Sequence, residues 1–441
     1  MTVVFEAPAD PRVRHPALRL VHVAAVAAGN GLEFFDFLIY ATFAVYIGNA
    51  YFPTHNPTVS LLLSLATFGI GFVTRPIGGF VLGRVGDRLG RKPAMMISFG
   101  LMGVGALGLA ITPSYAQIGL AAPVLVILAR LVQGFALGGE VGPSTAFLVE
   151  AAGERERGLI GSLQQASQGV GNLAASGVAL ALAYVFSQTA LAAWGWRLGF
   201  LVGLAIVPFG LWMRNGLPET APPLPTMPEA AAATQAPIPW RIVVVGVMLL
   251  ASGTINTYVA NYMTTFALHT LHLSAKASFG VGVVNAFCGI VCIPIGGWLS
   301  DRFGRKAVAI PFFLIAAALS VPSLAFALAH PSAGALYAAT AMVAIPSGLA
   351  AAAILVAITE SFPASMRCLA VGLVYAVAIS VFGGTTQFVV AWLVDATHQP
   401  MAPAYYRLAA SSVGLVGLLL LPESAPVKRA APIAAVALAG A

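Results

Sequence analysis

Gly83–Lys92 reads GRVGDRLGRK, and Gly297–Lys306, 214 residues further on, reads GWLSDRFGRK. Both fit G-x-x-x-D-R-x-G-R-K. Charge is scarce elsewhere in the chain, so two copies of so polar a loop point to an internal duplication. They also indicate that each half turns back at the same aqueous surface.

The surrounding composition says what lies between those turns. Charged residues make up 8% of the 441-residue chain and hydrophobic residues 59%, with a mean hydropathy of +0.90. A soluble domain carries about 25% charged residues, so the apolar excess has to face lipid. A membrane-crossing helix needs roughly 20 apolar residues. Twelve runs qualify: 20–47, 59–83, 93–113, 120–149, 158–186, 197–215, 241–268, 277–299, 307–329, 333–359, 366–394 and 404–421. Helices are expected because an isolated segment in lipid must satisfy its own backbone. A barrel would show short alternating segments instead.

Of the 22 Lys and Arg, 17 fall on the face of the repeated loops and three (Arg197, Lys276, Arg407) on the other. The positive-inside rule therefore puts both termini in the cytoplasm of a multi-pass protein of the cell (inner) membrane. The net charge of +7 reads as anchoring, and no nucleic-acid partner is expected. The first span carries Glu33 and Asp36 and is too long for a cleaved signal peptide. Cys288, Cys292 and Cys368 sit in or beside apolar helices and imply no disulfide framework.

Two further landmarks recur in the same order. Glu150 with Arg157 matches Glu360 with Arg367, and Leu217-Pro218-Glu219 matches Leu421-Pro422-Glu423. The chain divides into a six-helix bundle at 1–215, a Pro- and Ala-rich linker at 216–239 and a second bundle at 240–441. An even number of spans per half makes the repeats parallel. In the loops, Asp87 and Asp301 can pair with Arg or cap a helix N-terminus. Arg88, Arg91, Arg302 and Arg305 can reach acids or carbonyls at helix ends of the opposite half, and Glu150 and Glu360 are expected partners. The set reads as a cytoplasmic latch favouring an outward-facing state; a purely topogenic basic loop is the alternative.

Ionisable residues inside a span are costly and by default mark a pathway or relay. Glu33, Asp36, Arg75, Arg130 and Glu140 all lie inside spans, and all in the first half. Arg75 and Arg130 either neutralise these acids as fixed ion pairs or hold a substrate carboxylate, which the planar guanidinium fork matches. Asp36, then Glu33, are the candidate proton-coupling acids; Glu140 is either a third or a structural partner of Arg130. Neutral polar residues complete a cavity: Gln133 beside Arg130, Gln164 and Gln168 with Asn172 on helix 5, Tyr258, Asn261 and Tyr262 on helix 7, and Gln387 on helix 11. Interhelical hydrogen bonding is the competing reading for each. No metal cluster, cofactor motif or catalytic triad is expected.

The repeated loop resembles the helix 2–3 signature of the major facilitator superfamily, with its copy at helices 8–9. Gly29-Asn30-Gly31-Leu32-Glu33-Phe34-Phe35-Asp36-Phe37 resembles G-N-x-L-E-x-x-D-F of that superfamily's metabolite:proton symporters. Arg75-Pro76-Ile77-Gly78-Gly79, Arg130-Leu131-Val132-Gln133-Gly134-Phe135, Gly138-Gly139-Glu140, Trp194-Gly195-Trp196-Arg197 and Phe382-Gly383-Gly384 follow in order. Thr359-Glu360…Arg367 and the Phe-Gly-Gly of helix 11 look most like citrate and tricarballylate carriers, whereas Thr257–Tyr262 departs from them.

The resemblance implies a monomeric, all-α carrier of twelve helices in two bundles, without enzymatic activity or cofactor. It would import a small organic anion, citrate-like, by proton symport and alternating access. The alternatives are another substrate of the same branch (2-oxoglutarate, a shikimate-like or aromatic acid, proline or betaine), a non-translocating nutrient receptor, or drug efflux.

Overall fold

The structure is a computed structural model that describes residues 20–89, 91–138, 156–205, 208, 239–362 and 367–429. Among the described residues every regular element is a helix. The first half contains α1 (Leu20–Thr42), α2 (Ala44–Tyr51), α3 (Pro57–Ile70), α4 (Arg75–Leu89), α5 (Arg91–Ile111), α6 (Ala121–Leu137), α7 (Arg157–Val185) and α8 (Arg197–Gly203). The second contains α9 (Trp240–His269), α10 (Ala275–Phe303), α11 (Arg305–Ala329), α12 (Ala333–Ser361), α13 (Arg367–Ala378), α14 (Gly384–Thr397) and α15 (Ala402–Leu420). Pi-helical turns precede α8 at Leu191–Gly195 and α14 at Ile379–Gly383. Eight of the described helices or helix pairs are long and apolar enough to cross a membrane, and one bent pair makes a ninth. The shorter apolar stretches Met96–Ile111 and Ala121–Leu137, with the described part of span 6, occupy the remaining positions.

Three spans are not the continuous rods expected from their hydropathy. The first bends by 61° between α1 and α2. Thr42 Oγ1 donates to the Leu38 carbonyl at 3.0 Å, a back-bond that bends helices. The second tightens between α3 and α4, where Phe72 and Val73 N–H reach only to the Gly69 and Ile70 carbonyls. Pro76 causes this. It has no N–H for the carbonyl four residues back, and that carbonyl, of Phe72, is instead approached by Arg75 N–H at 3.4 Å. The eleventh carries the pi turn, which ends on Gly383, the first of its glycine pair. The linker (Pro239 excepted) and the end of span 6 lie outside the described residues.

The halves meet along α7 and α10. Gly158 lies against the Gly297 carbonyl, Gly169 against Ile290, and Gly282 against Ser176. Small residues let backbones approach closely where lipid supplies no hydrophobic drive between helices. A second seam joins α3 to α14 at Gly69 and Gly384. Large apolar side chains such as Ile77, Phe80, Val124, Val291, Ile295 and Leu419 point outward, as a lipid-facing surface requires.

At Gly134 a methyl group would land on the Gly71 carbonyl, whereas nothing lies within 4 Å of one at Gly83. Gly134→Leu is therefore expected to cost about 1–3 kcal/mol or more and Gly83→Ala nothing measurable, read as the thermal unfolding midpoints of detergent-solubilised protein.

Candidate functional site

Two arginines, Arg75 and Arg130, and two buried acids, Glu33 and Asp36, lie in the first half. Arg130 is 0% exposed. Its Nη1 donates to Gln133 Oε1 at 2.8 Å, and Gln133 Nε2 donates to Asp36 Oδ2 at 2.6 Å. The one-turn spacing of Arg130 and Gln133 on α6 puts both on the face that meets α1. Asp36, also 0% exposed, is thus linked to the cation by an amide relay, and no direct ion pair forms between them among the described residues. Its Oδ1 has no hydrogen-bond partner among the described residues and abuts Gly203 of α8, where a Cβ would stand 2.6 Å away.

Aromatic rings do what counter-ions do elsewhere. The Arg130 guanidinium lies 4.5 Å from the Phe37 ring centre, 4.6 Å from Tyr40 and 5.1 Å from Phe68. Arg75, at the restart of the helix after the tightened turn, lies 4.5 Å from the same Phe37 ring and 4.1 Å from Phe72. Desolvated cation–π contacts contribute about 2 kcal/mol or more each. Arg75 Nε and Nη2 have no hydrogen-bond partner among the described residues, and Glu33, Tyr258 and Tyr375 are its electrostatic neighbours.

The second half closes over this cage. Tyr258 of α9 packs edge-on against Phe68 and Phe72, with centroids 6.0 and 5.7 Å apart. Gly383 and Gly384 press on Phe72 from the other side. The Gln164 side chain is buried and, with Gln168, faces the Tyr375 hydroxyl, while both amide atoms of Gln387 have no hydrogen-bond partner among the described residues. Asn30 holds the Gln164 backbone carbonyl at 3.1 Å and Ser167 Oγ at 2.7 Å. Asn172 and Asn261 join the halves at 3.1 Å. Tyr262 does not join the site. It packs with Phe266, Val259, Leu61 and Leu65 in an apolar cluster between the halves.

The second copy of the repeated loop forms a bonded knot. Asp301 accepts from the Gly158 and Leu159 N–H groups at 2.8 and 2.9 Å, so an acid of α10 caps the first turn of α7 across the two halves. Arg305 pairs with Asp301 at 2.6 Å and with Glu360 at 3.0 Å. The arginine thus stays within its own half, contrary to expectation, and the aspartate makes the crossing. Ser424 donates to Glu360 at 2.6 Å. Arg302 is exposed over Trp298, outside the knot. The side chains of Asp87, Arg88 and Arg91, and all of Glu140 and Glu150, lie outside the described residues.

Reading the sequence alone assigned no site role to Phe37, Tyr40, Phe68, Phe72 and Tyr375, because aromatic bulk stands out little in so apolar a chain. A signal did exist for Phe68 and Phe72, which stand one turn apart just before Arg75. The Leu-Pro-Glu landmark also gains a role. Glu423 accepts from the Arg305 and Lys306 N–H groups, each at 3.0 Å, and Lys306 Nζ donates to the Leu419 and Leu421 carbonyls at 3.0 and 2.9 Å.

Burial opposes ionisation of Glu423, but backbone N–H groups of Ala425, Lys306, Arg305 and Ser424 outweigh it and hold its carboxyl below the usual glutamate range. Because the folded value is depressed, this tie is fully present above the unfolded value of about 4.3 and is lost as the pH falls through the folded one. Glu423→Gln is expected to flatten the acid limb of stability below about pH 4.3, followed by thermal unfolding from pH 7 to pH 3.

Residues 21–222 match the family model described as Sugar (and other) transporter, and residues 280–436 that of the Major Facilitator Superfamily. A citrate-proton symporter of Klebsiella pneumoniae is 35% identical over 91% of this chain and 92% of its own. The alpha-ketoglutarate permease of Escherichia coli (strain K12) is 34% identical over 91% and 94%, and a proline/betaine transporter of Salmonella typhimurium 30% over 93% and 85%. A crystal structure of a D-xylose-proton symporter superposes with a TM-score of 0.72 at 18% identity, covering 92% of this chain and 97% of that one, a likeness of fold. Two bundles, an all-helical membrane architecture and identity of 35% sustained over 91% of its length lead to one conclusion: the chain belongs to the major facilitator superfamily, as one of its proton symporters.

Proposed function

We propose that the protein imports a small di- or tricarboxylate, citrate-like, together with protons, across the cell (inner) membrane by alternating access. The first and last residues and the repeated loops face the cytoplasm in this reading, as the 17-to-3 partition of Lys and Arg supports. One observation carries the choice of an anion. Two guanidiniums flank a single Phe37 ring, neither forming an ion pair with an acid among the described residues, and Arg75 has nitrogens left to bond. A substrate carboxylate offers the two oxygens that such a fork matches. The relatives that bind citrate and alpha-ketoglutarate by name support the same class.

The relay gives the coupling. While Asp36 is charged, Gln133 holds Arg130 toward α1. A proton on Asp36 removes that pull and frees Arg130 to pair with the incoming anion, so proton and substrate enter together. Substrate release and deprotonation on the cytoplasmic side restore the relay. Gln164, Gln168, Gln387 and Tyr258 supply neutral contacts, and Glu33 serves beside Arg75. The Asp301 cap on α7 holds the cytoplasmic side shut and breaks when the halves rock apart. Each net positive charge carried inward gains about 2.3 kcal/mol per 100 mV. The protein works as a monomer in this reading. A second substrate class, proline or betaine, follows from the proline/betaine relatives, and two guanidiniums without an ion-paired acid among the described residues disfavour it.

Purified protein in liposomes, given labelled citrate, tricarballylate, 2-oxoglutarate, shikimate and proline under an inward proton gradient, tests the reading. Uptake of a di- or tricarboxylate is expected; uptake of proline alone, or of no carboxylate, overturns it. Asp36→Asn is expected to abolish uphill accumulation while leaving downhill exchange measurable. Arg75→Gln is expected to weaken substrate affinity roughly ten- to hundredfold, the worth of one charged hydrogen-bond pair, with Arg75→Lys between the two.

A further inference from the structure

Arg407 stands on α15, five residues or about 8 Å from the Ala402 end at 1.5 Å per residue. The segment Ala404-Tyr405-Tyr406-Arg407 lies 210 residues after Trp194-Gly195-Trp196-Arg197, the offset that also relates Glu150 to Glu360. The two arginines are therefore repeat mates, yet they are used differently. Arg197 Nη1 donates to the carbonyls of Ala110, at 3.2 Å, and Thr112 beside the end of α5, and its guanidinium lies over the Trp196 and Tyr51 rings. Arg407 has one hydrogen bond among the described residues, from Nε to Asn256 Oδ1 at 2.8 Å. Asn256 is fixed in turn by the Ser252 carbonyl and Ser411. No carboxylate pairs with Arg407 among the described residues.

The remainder of the Arg407 side chain borders a small, partly open pocket between α9, α10, α11, α12 and α15. Asn285 of α10 borders the same pocket and makes no hydrogen bond among the described residues. Ser320 and Thr340 line it as well but donate to carbonyls of their own helices. The remaining wall is mostly apolar, with Met263, Leu324 and Val343. Arg407 is half-buried, and a guanidinium partly withdrawn from water is costly unless something offsets its charge. An apolar wall strengthens the attraction for whatever does so.

We propose that Arg407 and Asn285 hold a small anion, of halide or short-carboxylate size, inside the second bundle and apart from the central pair of arginines. The guanidinium supplies the charge and the Asn285 amide a second donor. Through Asn256, two residues before Tyr258 on α9, the occupied site braces the helix that closes over Phe68 and Phe72. The proposal is independent of which substrate is transported. The anion has two sources, inorganic chloride or a carboxylate.

Equilibrium binding of radiolabelled chloride to the purified full chain, with gluconate as the balancing anion, tests it. Saturable binding is expected, weakened about tenfold or more by Arg407→Gln, as loss of a charge-assisted contact requires. It should be retained in Arg407→Lys and weakened by Asn285→Leu. Displacement by acetate but not citrate identifies the site as one for inorganic or short anions. Displacement by citrate with the same dependence on Arg407 identifies the carboxylate as the source. Absence of saturable binding, or equal binding by wild type and Arg407→Gln, overturns the proposal. Should Arg407→Gln fail to fold, wild-type binding by Asn285→Leu overturns it equally.

Discussion

A guanidinium inside a bilayer has no water to share its charge, and the first bundle is arranged around that constraint. Arg130 meets it with an amide, a carbonyl and three ring faces. The same amide then reaches Asp36, so the acid is buried within the field of a cation without being locked to it. A direct buried pair would be hard to break, because separating its partners strands a charge. An amide between them lowers that barrier, since either end can let go while the other stays bonded. The tightened turn before Arg75, the bend after α1 and the pi turn before α14 all lie in the spans that line this region.

Much of the architecture was legible because lipid imposes simple rules. Apolar length gave the bounds of spans 5, 7, 9, 10 and 12 to within two residues and of span 8 to within four, and the repeated loop pointed to the two halves. Breaks within spans were not legible from hydropathy, because a bent helix and a straight one bury the same residues. Only Pro76 carried a readable cause. The charged members of the site stood out, since ionisable residues are rare in such segments. Their aromatic surroundings did not: with 25 Phe in the chain, the four rings of the cage resemble the filler around them. Tyr262 shows the converse, because a polar residue on a helix expected to line the pathway packs in an apolar cluster between the halves.

The duplicated halves have diverged in how they use equivalent positions. On the face of the repeated loops, the second half ties its helix ends with Asp301, Arg305, Glu360 and Glu423. Within the membrane, the first half carries the arginine–acid relay and the second supplies Tyr258, Gln387 and a pair of glycines. Arg197 and Arg407 repeat the contrast at the opposite face, one satisfied by carbonyls and rings, the other bordering a pocket. Symmetry of ancestry thus supports asymmetry of labour, in which one bundle holds charge and the other moves against it.

Phe37 follows Asp36 directly and lies 4.5 Å from both guanidiniums. A helix turns as a unit, so any rotation of α1 that draws Asp36 away from Gln133 must also slide the Phe37 face off Arg75 and Arg130. One small twist would change the setting of an acid and the packing of two guanidiniums together, while Phe72 and Phe68 of the second span keep their own faces on Arg75 and Arg130. The ring thus ties both cations to the helix that carries Asp36.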